Sequence, residues 1–146
     1  MTRTITVGID GSPESHAAAE WAAREAELRD LPVRGTAVHV VTGWQPPPYS
    51  PSPAADGVPD QGVARRRAAD LTRLLLPWRQ AYPDVEVVEQ SRPGSPAHLL
   101  VDASHEASLV DVGRRTRPSP LGVHIGAVAH AVLHHVGAPV AVVAHP

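Results

Sequence analysis

Five short apolar runs rich in β-branched residues, each separated from the next by a stretch of helical character, limit what this chain can fold into. Residues 4–9 (TITVGI) read as a buried strand. Asp10-Gly11-Ser12-Pro13 ends that strand as a turn. Ser12 or Ser15 is placed to cap the following helix, with Pro13 and Glu14 suited to its first turn. Residues 15–30 are rich in Ala, Glu and Arg, with Trp21 and Leu28 on an apolar stripe, and Pro32 closes this helix. Residues 33–42 (VRGTAVHVVT) supply the second strand. Strand, helix and strand in this length form a βαβ unit whose crossover is right-handed.

Residues 45–60 interrupt the pattern with six prolines among Ser, Ala and Gly, and read as a mobile loop within one domain spanning 1–146. A helix resumes over about 63–80, with Leu71, Leu74, Leu75 and Trp78 on one face and Pro77 distorting its last turn. Arg65, Arg66 and Arg67 near its start read as a solvated face rather than a nucleic-acid patch. Residues 85–90 (VEVVEQ) form a third strand. Ser95 as N-cap and Pro96 at the first helical position open a helix over 96–107. Residues 108–112 (SLVDV) make the fourth strand, followed by an irregular stretch from Gly113 to Leu121. A last helix covers about 122–136, with Gly137 as its C-cap, and 139–144 (PVAVVA) is the fifth strand. Five strands alternating with four helices predict an α/β fold with a doubly wound, five-stranded parallel sheet.

Composition narrows the function classes. A chain of 146 residues suits a single core, and with no Phe and only 3% aromatics that core must be aliphatic. Cys is absent, so disulfides and thiolate metal sites are excluded. All 13 basic residues are Arg, which removes a phosphate-loop lysine and lysine-based covalent chemistry. A net charge of -2 favours no nucleic-acid partner, and no apolar run is long enough to cross a membrane; the expected location is cytoplasmic. Ser, His and Asp are all present, but no G-x-S-x-G elbow is, so designed hydrolysis is not expected.

In open α/β sheets ligands sit beyond the carboxyl ends of the strands, where strand order reverses. With the order 3-2-1-4-5 that point lies between the first and fourth strands, beside Asp10 and the segment 113–127. The start VGIDGSPES…A…WAAREA, the second-strand TAVHVV and the tail GAVAHAVLHHVGAPVAVV resemble the universal stress protein family. The likeness runs in order along essentially the whole chain apart from the proline-rich loop. It implies an adenine-nucleotide alpha-hydrolase-like fold, a role in stress response and a two-fold homodimer through strand 139–144. Members that bind ATP carry G-x2-G-x9-G-(S/T) between strand four and helix four. Here Gly113 matches the first glycine and Gly126 the third, but Thr116 stands at the second and Ala127 replaces the hydroxyl residue. The resemblance implies Asp10 and Val40 near adenine and ribose, and Gly113, Arg115 and Gly126 near phosphates.

The departures weaken that implication. β-branched Thr116 tolerates positive φ poorly, Pro118 and Pro120 remove amide donors, and Ala127 lacks a hydroxyl. Arg114, Arg115 and Arg117 can grip phosphate by charge and bidentate hydrogen bonds, or form a solvated basic loop. Asp10 can accept a ribose hydroxyl or close an Asx-type turn. Asp111 is unusual inside an apolar strand; the readings for it are an ion pair with Arg3 or a loop Arg, an exposed strand end, or a ligand contact. Beside Asp10 it would repel a polyphosphate unless Mg²⁺ or Arg intervened. His124 projects near the cleft. His130 and His134, four residues apart, have no evident third ligand, and no metal site is expected.

Three readings follow. In the favoured one the chain is a dimeric, non-catalytic regulatory module whose nucleotide binding is weakened or lost, and whose dimer surface or proline-rich loop recruits a protein. In the second, the cleft takes ATP or AMP, with Mg²⁺ only alongside nucleotide and arginines replacing the glycine loop. In the third, the cleft is recast for another anionic small molecule.

Overall fold

The computed structural model describes residues 3–29, 36–44, 61–115 and 127–145. Its elements are β1 (Arg3–Gly8), α1 (Pro13–Arg29), β2 (Thr36–Trp44), α2 (Gln61–Ala81), β3 (Glu86–Pro93), α3 (Pro96–Ser104), β4 (Leu109–Arg115), α4 (Ala127–His135) and β5 (Val140–His145). The strands form one parallel sheet in the order β3-β2-β1-β4-β5, as the sequence led us to expect. The proline-rich loop at 45–60 lies outside the described residues.

Register explains the two cores. In-register neighbours of a parallel ladder point to the same face, so Val38, Ile5 and Leu109 share one face, as do Val40, Val7, Asp111 and Ala141. The aliphatic members of that face pack beneath α1 and α2, with Leu71 and Leu75 of α2 buried among them. Alternate residues Val41, Val110 and Val112 face the other way, onto Leu99 and Leu100 of α3 and Ala129 and Val132 of α4. Among the described residues, Asp111 is the one ionisable side chain that is fully buried.

Helix α1 differs from expectation in which face it buries. Ala18, Ala22 and Ala26 are wholly buried against the sheet, whereas Leu28 is 64% exposed and Trp21 only half-buried. The physical reason is separation: methyl side chains let the helix lie close to the strands, where a larger stripe would hold it off. Helix α2 buries Leu71 and Leu75, with Leu74 and Trp78 packed beside them, and runs through Pro77 to Ala81. Arg65, Arg66 and Arg67 are exposed. The two helices are joined by Glu20, which accepts hydrogen bonds from Trp78 Nε1 at 2.9 Å and from Tyr82 Oη at 2.7 Å.

Element ends shift where ladder hydrogen bonds outlast the apolar pattern. Gly113, Arg114 and Arg115, expected in an irregular stretch, continue β4 because they pair with Val143, Ala144 and His145 of β5. Strand β2 likewise extends to Trp44, whose carbonyl accepts from Gly94 N–H at 2.9 Å. Helix α3 stops at Ser104 rather than 107. Ser95 takes the extended N-cap conformation, but its hydroxyl makes no capping bond.

Candidate functional site

The upper edge of the sheet is built around the turn from β1 into α1. Ile9 N–H donates to the Val41 carbonyl at 3.0 Å, carrying β1–β2 pairing past Gly8. Gly11 then takes φ 85°, the left-handed region that a side chain disfavours, and reverses the chain. Asp10 Oδ1 accepts the Ser12 N–H at 2.9 Å, an Asx-type turn. Ser12 is the N-cap of α1: its Oγ accepts the Ser15 N–H at 3.3 Å, and its carbonyl accepts both the Ser15 hydroxyl at 2.8 Å and the His16 N–H at 3.1 Å. Ser15 Oγ in turn lies 3.4 Å from the Asp10 N–H. Partial burial alone would raise the Asp10 pKa, but the hydrogen bonds from Ser12 and Ser15 outweigh it and hold the carboxyl below its ordinary value. Of the two serines that the sequence offered as caps, Ser12 takes that place, and Ser15 lies inside the first turn and bonds back to it.

Beneath this turn lies β4. The backbone of α1 crosses so near Gly113 that an added Cβ would collide with the carbonyl group of Glu14 and lie 3.0 Å from Ser15 N. The missing side chain at 113 therefore has a packing cause, and that face of the residue is covered by α1. Val40 is 2% exposed, mid-strand in β2, and its side chain is in the core beneath α1 and α2. Arg114 is half-buried and in register with Ala144. Arg115 ends β4 in register with His145, and Ala127 begins α4. Thr116, Arg117, His124 and Gly126 lie outside the described residues.

Asp111 matches none of its expected ion-pair or exposed-end settings. It is 0% exposed, and neither carboxylate oxygen has a hydrogen-bond partner. Register sets it opposite Val7 and Ala141 in mid-sheet, whereas Arg3 lies four residues below Val7 at the far end of β1. Alternation along the strand turns Arg114 to the opposite face. Burial alone pushes its pKa up to about 8.

His130 and His134 stand together on α4, ring centroids 4.4 Å apart, and both are exposed. Among the described residues no group of three potential metal ligands is found. A surface depression of about 450 Å³ lies on the outer side of α1, lined by Gly11, Pro13, His16, Trp78 and His145 among others, with the His16 ring edge-on to Trp78 at 5.2 Å. The sequence carried no signal for this meeting, since Trp78 comes from a helix two elements away.

Comparison with known proteins gives a consistent result. The model of the universal stress protein family matches residues 1–144. A universal stress protein of Mycobacterium tuberculosis is 33% identical over 143 residues, covering 95% of this chain and 47% of its own length. One from Mycolicibacterium smegmatis is 34% identical over 143 residues, with the same shares of 95% and 47%. The chain thus spans about half the length of the curated relatives it matches. Among solved structures, the universal stress protein UspA from Lactobacillus plantarum superposes with a TM-score of 0.72 at 21% identity, covering 97% of each chain. A universal stress protein in complex with cAMP gives 0.64 at 17% identity, covering 99% of this chain and 98% of that one. A family member from Arabidopsis thaliana with AMP bound gives 0.61 at 13% identity, covering 99% and 92%.

Proposed function

From a chain that belongs to the universal stress protein family, we propose a non-catalytic regulatory module whose adenine-nucleotide binding is weakened at the edge between β1 and β4. The carrying observation is that the groups nearest the edge are already committed internally: Gly113 is covered by the main chain of α1, and Asp10 is bonded into its own turn. To this the sequence adds Thr116 where nucleotide-binding members have glycine, and Ala127 where they have a hydroxyl. The module works as a homodimer through the edge strand β5, whose Val142 is exposed together with Val128 and Leu133 of α4. Its location is cytoplasmic; among the described residues no helix is long and apolar enough to cross a membrane.

A second reading keeps the cleft live for nucleotide, with Arg114, Arg115 and Arg117 taking the place of glycine-loop amides. Its support is that proteins of the same fold carry cAMP and AMP.

Calorimetric titration of the purified protein with ATP, ADP, AMP and cAMP, with and without Mg²⁺, separates the two. Weakened binding gives no saturable heat up to millimolar nucleotide, and Thr116→Gly with Ala127→Ser restores affinity by roughly tenfold or more, on the scale of a regained hydrogen bond. Micromolar binding by the unaltered chain, lost in Asp10→Ala and Arg115→Ala, would establish the second reading instead.

A further inference from the structure

Asp111 sits where an apolar rung would be complete without it. Its rung neighbours toward the centre and the edge of the sheet are Val7 and Ala141. Above that face lies α1, whose buried side chains are Ser15, Ala18, Ala19, Ala22, Ala23 and Ala26. Two residues further along β4, at Gly113, the helix backbone seals the strand too tightly to admit a methyl group. A carboxyl thus lies enclosed in a seam lined mostly by alanine and valine, with no hydrogen bond to either oxygen. An ionised carboxylate there would lack water, a counter-charge and a hydrogen bond at once, and that is the most costly state for such a group.

The ionisable groups of the surrounding elements lie at the margins. On α1 these are Glu14 and His16, flanking Ser15, and further along Glu20, Arg24, Glu25, Glu27 and Arg29. Beyond β1 comes Asp10, at the end of β5 His145, and along β4 Arg114 and Arg115. No described side chain bonds to Asp111, and no neighbouring charge contributes to its shift, which has burial as its sole cause.

We propose that the seam between α1 and β4 is a proton-linked latch: a proton on Asp111 favours the N-terminal half of α1 lying on the sheet, and opening the seam releases that proton. The latch is independent of whether the cleft takes nucleotide. Its consequence is that the turn from Asp10 to Ser15, which rides on the first turn of α1, is held by a group that responds to pH. The sign follows from linkage. When the seam opens, Asp111 regains its ordinary value of 3.8, whereas closed it titrates at about 8. Below the lower value both states are protonated and opening is insensitive to pH. Between the two, opening becomes about tenfold easier for each unit of rising pH, and above the higher value it levels off.

Two measurements on the full chain test this. Carbon-13 NMR of the aspartate carboxyls should show the Asp111 resonance titrating with a midpoint near 8; a midpoint in the ordinary carboxylate range overturns the proposal. Amide hydrogen exchange at pH 6 and pH 8, corrected for intrinsic rates, should show the amides of residues 16–23 opening about fiftyfold more readily at the higher pH, ahead of those in β2 and β3. In Asp111→Asn that dependence should vanish. Asp111→Val, which leaves no unpaired polar atom, supplies the same comparison should the amide variant fail to fold. Equal pH dependence in the unaltered chain and in the variant, or a change spread evenly through β2 and β3, would refute the latch.

Discussion

At Gly113 the sheet and α1 approach so closely that a single added carbon collides with the main chain of Glu14, so the residue answers to packing before it answers to any ligand. Gly113→Ala should lower stability by roughly 1–3 kcal/mol in urea unfolding, by the same amount with and without nucleotide, because the helix must shift to make room. A loss seen only with nucleotide would return Gly113 to a phosphate-binding role. The two aspartates of this region titrate in opposite senses. Asp10, held below its ordinary value by the Ser12 and Ser15 hydrogen bonds despite partial burial, adds stability that is present at neutral pH and lost on acidification. Asp111, raised by burial, adds stability at low pH that drains away as pH climbs toward about 8.

Helices α1 and α2 cover one face of the sheet by different means. The first presents only small side chains and gains contact by lying close, whereas the second inserts Leu71 and Leu75. What ties the two helices to each other is Glu20, bonded at once to Trp78 and Tyr82. Its contact with Arg24, at 3.3 Å between exposed side chains, contributes little. Glu20→Ala should therefore cost about 1–2 kcal/mol, the scale of two hydrogen bonds in partly buried surroundings. The Tyr82 phenol, raised chiefly by its bond to Glu20, should titrate nearer its usual value in that variant. Ultraviolet titration of the tyrosines and chemical denaturation check the two effects separately, and an unchanged phenol would show that the bond does not persist in solution.

On the scale of the whole molecule, the sheet leaves an edge at β3 and another at β5. The β3 edge carries Glu86, Glu89 and Arg92, charges that discourage pairing with another strand. The β5 edge carries none: its sequence VAVVAH is apolar up to a final histidine, and Val142 is 36% exposed. The proposed dimer uses that edge. Sedimentation velocity should find the unaltered chain dimeric and Val142→Lys monomeric, since a lysine ammonium would have to be desolvated at the interface. A monomeric unaltered chain would remove β5 from the account.

Local pattern alone determined the strand and helix content, the parallel character of the sheet and the aliphatic character of the core, because each depends on periodicity, alternation of elements and composition. The turn at Asp10-Gly11-Ser12-Pro13 was legible because it is local: its bonds join residues two to five positions apart. Tertiary structure decided what depends on distance in space. Leu28 looked like part of a packing stripe and is exposed, because the closeness of α1 to the sheet selects alanine. Gly113 looked like loop and is strand, because β5 supplies the other half of its ladder. Asp111 looked like one end of an ion pair, and only the structure shows it buried between Val7 and Ala141 with no described side chain bonded to it. Separations along the chain do not encode which face a strand turns to a helix, and at that level the protein's unusual chemistry is set.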